Sequence, residues 1–361
     1  MKIVLSLLFL LTSLICSEIF DRISSDLKSG RPLKVFLLHS YEEDHVCGAP
    51  QDDGITSVLN EDFRGVIEYK RFYMDTKIKH ASIDQIEQRA ALAISQINDF
   101  NPHILFVLDD NAIKYVAMKL LNNNFYILFS GMNSQIEDCN KITYCIDTIS
   151  RKPLKNMTGV YEYLHLRKSL DTFKRIFPDK NRFIALVDMT LTGNAVLKQI
   201  DMELGETNNA YDFEIWRVAD WNQFAESIKK INSMNDVCAV YNVVLSLPNV
   251  DGTNSGTAEL FKYYINNSNK PAIAVNYAFS RLGLFGGAAI EFEHMGEQTA
   301  RIALKLLEGS DIENHPVENA EKYMLVFNKK RAEMLKIALS GELEMAADEL
   351  YEAIPLLDYE K

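Results

Sequence analysis

Short unbroken apolar runs alternate along the chain with longer stretches whose apolar residues recur three and four positions apart. LKVFLLHS (Leu33–Ser40), HILFVLDD (His103–Asp110), FYILFSGMN (Phe125–Asn133) and RFIALVDM (Arg182–Met189) share one layout, an apolar run ending in polar residues. Gly65–Asp75 and the runs YDFEIWRVA, VCAVYNVVLSL and PAIAVNYAF complete a set of predicted strands. GITSVLNEDF, Ser82–Phe100, NAIKYVAMKLL, Gly193–Glu206 and Met295–Gly309 carry helical spacing, with Ser82 as an N-cap. Apolar strands separated by helices predict parallel sheets with right-handed crossovers. The pattern restarts after an extended link near Lys155–Tyr161. The expected fold is therefore α/β, with two Rossmann-like lobes of parallel sheet joined by a hinge, over residues 33–155 and 156–310. Residues 311–361 read as an added strand and helix, for which packing back on the first lobe is one arrangement, with an acidic helical tail after Gly341.

The N-terminus adds an address. In MKIVLSLLFLLTSLICSEIF one lysine precedes an apolar run that gives way to small and polar residues, the layout of a secretory signal peptide over residues 1–17. The run is short for a spanning helix, which needs about 20 apolar residues. Cleavage near Cys16 or Ser17 is expected; Ser13-Leu14-Ile15 is a poor context for a lipid anchor on Cys16. An exported, periplasmic or extracytoplasmic protein follows. Export permits disulfides, and Cys139 and Cys145 are the candidate pair, clipping a surface loop.

Charge narrows the partners. The formal net charge of −12 argues against nucleic acid, which needs a basic face. Ligands of open parallel sheets bind beyond the carboxyl ends of the strands. The polar residues at those ends supply the candidate ligand-binding set: Ser40, Tyr41, Asp110, Asn111, Gly131, Asn133 and Tyr161, then Asp188, Thr190, Thr192, Asn242, Asn276 and Tyr277. Hydroxyls, amides and helix N-termini there suit a small polar ligand, and the tyrosines can cover its apolar body.

Several motifs carry a sharper chemistry beside a plainer one. His39, Glu42, Asp44, His45 and Cys47 are all potential metal ligands, but close neighbours in a loop point in different directions, so no metal is expected. Asp109-Asp110-Asn111 could be an acid–base pair; the simpler reading is a helix cap that also touches ligand. GLFGGAA (Gly283–Ala289) does not match a dinucleotide fingerprint and reads as a tight turn between strands. DGTNSG (Asp251–Gly256) lacks the Gly-Lys-Ser/Thr of a phosphate loop and reads as a flexible loop. No nucleophile elbow is present, so no catalytic residue and no cofactor is expected.

VFLLHSYEEDHVCGAPQDDGI, RFYMDTK, ILFVLDDNAIKY, FSGMN and MTGVYE occur in this order, followed by the long segment from NVDGTNSGTAEL to ARIALKLLEG. Together they resemble the extracytoplasmic ABC-type substrate-binding proteins of the type I periplasmic-binding fold. The branch is also found as sensor domains of histidine kinases and diguanylate cyclases. The resemblance runs from about Leu33 to the end of the chain. It implies two lobes, a hinge, an amino acid or similar small polar ligand held between them, and a membrane ABC permease as partner. A ligand-sensing role beside a separate membrane sensor protein is the close alternative. An exported enzyme using the cleft carboxylates or the HSYEEDH stretch is the reading from a different class. One departure bears on the ligand: relatives often carry an aromatic-rich segment after HSY, where this chain has the acidic EEDHVCGAPQDDG.

Overall fold

The computed structural model describes residues 16–77, 79–205, 211–249 and 254–358. Residues 1–15, where the signal peptide is expected, and residues 251–253 of DGTNSG lie outside them. The chain forms two compact units: residues 1–162 with 292–321, and residues 163–291 with 322–361. It therefore passes from one unit to the other three times.

The first unit is built on an all-parallel six-stranded sheet. Its strands are β1 (Leu33–His39), β2 (Ile67–Tyr73), β3 (Ile104–Leu108), β4 (Tyr126–Met132), β5 (Met157–Tyr161) and β13 (Glu318–Asn319), in the order β13-β5-β4-β3-β1-β2. All five residues of β3 and all seven of β4 are buried, as expected of strands covered on both faces. Phe36, Leu38, Leu105, Val107, Ile127 and Phe129 pack with Ile86, Ala90, Ala93 and Ile97 of α3 (Ile83–Phe100). α3 starts in a capping box between Ser82 and Gln85, so its first orphan N–H groups are satisfied locally. Two further helices of this unit are α2 (Gly48–Asp62) and α11 (Phe292–Leu307), which pack on each other. They approach unusually closely. A Cβ at Gly54 would lie 2.0 Å from the Glu293 carbonyl oxygen, and one at Gly296 2.1 Å from the Gln51 carbonyl oxygen.

Two expectations need correction here, and one element was not foreseen. MTGVY is not a link but the buried strand β5, paired with β4 and β13. The amphipathic helix of Met295–Gly309, which chain order assigns to the second lobe, is α11 of the first unit, because its glycine face fits α2. Upstream of β1, residues 16–28 form a helix, α1, that lies outside the expected lobes. Its Ile19 and Ile23 are buried, Arg22 donates to the Asn124 and Asn101 carbonyls, and Asp26 bonds His103. Cys16 is buried in α1, and its carbonyl accepts from the Tyr126 hydroxyl.

The second unit carries a seven-stranded sheet. Its strands are β6 (Arg182–Asp188), β7 (Asp212–Val218), β8 (Val237–Val243), β11 (Ala272–Ile273), β12 (Gly286–Ile290), β14 (Tyr323–Asn328) and β15 (Glu349–Tyr351). The order is β15-β14-β12-β11-β8-β6-β7, with β14 antiparallel to β12. A separate hairpin pairs β9 (Ser246–Pro248) with β10 (Asn254–Gly256), so the end of DGTNSG is strand rather than loop. GLFGGAA is likewise not a turn between strands: Gly283 ends the helix Tyr277–Leu282, and Gly286–Ile290 is a buried strand. Gly286 has φ 133°, and a Cβ there would meet the Val326 carbonyl oxygen at 2.0 Å, so only glycine lets β14 lie against it. Of the extension expected over residues 311–361, the part up to Glu321 does pack on the first unit, through β13, but the part from Lys322 does not. It supplies β14, β15 and the helix α12 (Lys329–Leu335) to the second unit.

Cys139 and Cys145 are not bridged; both are buried free thiols. The Cys139 sulfur faces Met132 Sδ at 3.8 Å and the Cys145 sulfur faces Asn140 Oδ1 at 3.7 Å, so each is turned into its own packing environment.

Candidate functional site

In the first unit the polar residues that follow β1, β3, β4 and β5 come together. β1 ends at His39, which pairs with Leu108 of β3, and Leu108 pairs with Ser130 of β4. Residues paired in register across a parallel sheet point to the same face, so His39 and Ser130 share one. Gln51 of α2 reaches the same place: the bare Cα of Gly131 lies beside Gln51 and Asp109, and that of Gly48 beside His39 Nδ1.

His39 is oriented from behind. Its Nε2 lies 2.8 Å from Asp52 Oδ2, and Asp52 is held by two hydrogen bonds from Arg71, at 2.8 and 2.7 Å. Burial alone pushes the Asp52 carboxyl up, but the hydrogen bonds from His39 and Arg71 outweigh it and hold the group below the usual carboxylate range. With the Nε2 hydrogen directed at Asp52, Nδ1 is the nitrogen left facing Gly48, and in the neutral tautomer it is an acceptor.

Asp109 occupies the left-handed region at φ 66°, a strained position for a residue other than glycine or asparagine. It is 3% exposed. Burial, with Glu162 and Asp110 nearby, raises its carboxyl well above the ordinary range, opposed by Lys77 and Gln51. Asp110 is raised by burial too, while the backbone N–H groups of Asn133 and Ser134, at 3.2 and 2.9 Å, stabilise its charge. Glu162 closes the group: Asn133 Nδ2 donates to it at 3.0 Å, and burial lifts it to about 7.

That shift makes a prediction. Glu162 has a folded-state value above its unfolded one, so the unfolded chain loses its proton first as pH rises. The favourable contribution is complete below about 4.5 and disappears through about 7. Glu162→Gln should flatten the fall in stability over that window, read from urea midpoints at several pH values. An unchanged slope would remove Glu162 as its source.

The remaining residues named from sequence in this unit serve mixed roles. Ser40 is buried; its hydroxyl donates to the Leu108 carbonyl and accepts from the Ala112 N–H, tying β1 to the next strand and helix. Tyr41 is half-buried, its ring 4.4 Å from that of His45 with Lys77 above it. Asn111 donates to Thr76 Oγ1, and Tyr161 is buried with the Arg151 guanidinium over its ring. Residues of the HSYEEDH stretch do not converge: among the described residues no group of three or more His, Cys, Asp or Glu is placed to hold a metal ion.

In the second unit Asp188 is wholly buried and fully engaged. Oδ1 accepts from Thr190, and Oδ2 accepts from the Leu245 and Ser246 N–H groups at 2.8 and 3.3 Å. It pins two loops at the end of the sheet. Thr190 caps α7 (Leu191–Leu204) through the Gly193 N–H, and Thr192 is exposed on that helix. Asn242 is buried, with Oδ1 accepting from Val244 and Nδ2 unpartnered. Asn276 caps α10 (Tyr277–Leu282), and Tyr277 is half-buried at its start.

The sequence reading overlooked Gln51, Asp52, Arg71 and Glu162. Gln51 and Asp52 sit inside a helix, where polar residues ordinarily face water; the polar pair opposite the end of β1 was the available signal.

Comparison with known proteins bears on the fold and the family. A family model described as ABC transporter substrate binding protein matches residues 140–351. A tyrosine-binding protein of Clostridioides difficile is 22% identical over 205 residues, 55% of this chain and 56% of that protein, so the match spans little more than half the relative's length. Among solved structures, a ligand-free, open substrate-binding protein with adhesive properties from Clostridium difficile superposes with a TM-score of 0.66 at 15% identity. It covers 88% of this chain and 99% of the other. A Streptococcus protein in complex with L-Trp gives 0.64 at 16% identity, over 88% and 99%. These likenesses establish the type I periplasmic-binding fold. Members of this family bind ligands rather than transform them, and act outside the cytoplasm. Among the described residues no helix is long and apolar enough to cross a membrane. The chain belongs to the ABC transporter substrate-binding protein family.

Proposed function

We propose that this protein captures a small polar ligand, an amino acid or similar molecule, at the carboxyl ends of its parallel strands and delivers it to a membrane ABC permease. The observation that carries the reading is the set of buried polar atoms without partners at the end of the first sheet: His39 Nδ1, Gln51 Oε1, Asp109 Oδ2 and Ser130 Oγ. Unpaired buried polar groups cost about 1–3 kcal/mol each, so a fold retains several together only where something else completes them. The tyrosine-binding relative and the L-Trp complex support the amino-acid class. The same site supplies no activated nucleophile: the Cys47 thiol is raised well above its ordinary value by burial and by Asp109, which keeps it in the unreactive form.

A thermal-shift screen of the purified chain against amino acids, nucleosides, sugars, small carboxylates and divalent metals tests the reading. Ligand at about 100 times its dissociation constant should stabilise the folded state by about 2.7 kcal/mol. One class should raise the melting temperature and be recovered unchanged. Conversion of the ligand, or no shift with any class, would count against a binding protein.

A further inference from the structure

The unpartnered atoms at the end of the first sheet are nearly all of one kind. Gln51 Oε1 can only accept, Asp109 Oδ2 can only accept when the carboxyl is ionised, and His39 Nδ1 accepts when the ring is neutral with its hydrogen on Nε2 toward Asp52. The Ser130 hydroxyl can do either. Their residues are 0–3% exposed, so water does not satisfy them from bulk. They sit in one place. Gln51 and Asp109 flank the Cα of Gly131, where a Cβ would lie 2.9 Å from the amide and 3.0 Å from Asp109 Oδ1. At Gly48 a Cβ would lie 3.1 Å from His39 Nδ1 and 4.0 Å from Asp109 Oδ2. The acceptors therefore rest against the bare Cα atoms of these two glycines, where a larger residue would displace them. Asp110 and Glu162, both half-buried, act on Asp109 as neighbouring acids, and the exposed Lys77 opposes them.

We propose that His39 Nδ1, Gln51 Oε1 and Asp109 Oδ2 form a receptor for a primary ammonium group, so that the ligand is an amine bound as its cation. A primary ammonium brings three N–H donors and one positive charge to three acceptors and a cluster of carboxylates. A hydroxyl brings a single donor, and a carboxylate would be repelled. The burial that disfavours an ionised Asp109 in the empty protein is offset once a cation lies beside it. The inference rests on the binding reading above and narrows its ligand to one chemical class.

The test is calorimetric titration of the purified chain with matched probes. L-tyrosine, L-tryptophan and 1,4-diaminobutane each carry a primary ammonium; their N-trimethylated and des-amino counterparts keep the skeleton and lose the N–H donors. At least one primary amine should bind, with affinity falling about tenfold or more on trimethylation or removal of the nitrogen. Asp109→Asn, which suits the left-handed backbone, should weaken the amine by a similar factor while the urea midpoint stays near that of the parent. Equal binding of a trimethylated or des-amino probe, or binding of a sugar or carboxylate with no amine bound, would overturn the ammonium receptor and leave the binding protein standing. A divalent metal that binds and is stripped by chelator, in place of any amine, would overturn it also. If no compound of any class binds, both readings fall.

Discussion

Gly54→Val is expected to lose about 4 kcal/mol or more of stability, and Gly296→Val a similar amount, the range reserved for direct collisions in a packed core. The two glycines are where α2 and α11 touch backbone to backbone. A Cβ at either position would lie about 2 Å from a carbonyl oxygen of the facing helix, which no rotamer change relieves. Alanine is the sharper control. In a helix interior it is better than glycine by about 1 kcal/mol, so an exposed site would gain from the exchange. Here the collision outweighs that gain, because overpacking of a closed core costs about 1–3 kcal/mol even where side chains can move aside. Gly54→Ala and Gly296→Ala should therefore lower the urea midpoint, and a raised midpoint would show that the helices separate without penalty. The contact also bears on function, since Gly296 rests on the carbonyl of Gln51, whose amide lines the candidate site. A variant that still folds should bind ligand less tightly.

Arg331→Met is the second large effect, about 3 kcal/mol, in the other unit. Arg331 lies on α12 and is only 2% exposed, yet its guanidinium donates to the Ile265 carbonyl at 2.7 Å and the Ser268 carbonyl at 2.9 Å. Methionine fills much of the volume but leaves two buried carbonyls unpaired, at about 1–3 kcal/mol each. Burial lowers the guanidinium from its ordinary value, but arginine stays charged throughout the ordinary pH range. Arg331→Lys keeps the charge without the planar fork, so it should fall between parent and methionine. Chemical unfolding monitored in this unit checks the order, and a methionine variant as stable as the parent would refute it. Asn328 reinforces the same point: it caps α12 and donates to the Ser280 and Ala353 carbonyls at 3.0 and 2.9 Å. The C-terminal segment is thus part of the second unit's core and not an appendage.

Much of the architecture was legible because burial on both faces writes a strand as an unbroken apolar run. Leu33–His39, Ile104–Leu108 and Arg182–Asp188 announced themselves that way, and the N-cap Ser82 marked the start of α3. The strands that went unrecognised are those whose composition answers to a neighbour. β5 holds Thr158 and Gly159, and β12 opens with two glycines; a Cβ at Gly159 would lie 2.1 Å from the Phe129 carbonyl oxygen, just as one at Gly286 would strike Val326. Glycine in a strand reads locally as a breaker, whereas here it is what close approach of the next strand demands. Helix assignment divided similarly: the apolar spacing of Met295–Gly309 showed a helix, but which sheet it covers depends on the glycine contact with α2.

Chain order and hydrophobic spacing by themselves determined the α/β class, the two sheets and the clustering of polar residues at the carboxyl ends of their strands, because each follows from periodicity and from where a buried run must stop. The tertiary structure alone decided which of those polar residues are occupied. Asp188 and Ser40, indistinguishable from ligand contacts in a sequence, spend their hydrogen bonds holding loops and strands together. Gln51 and Asp109 keep an acceptor unpaired. Hydrogen-bond satisfaction is a property of atoms brought within about 3 Å from distant parts of the chain, and residue type and spacing carry no record of it.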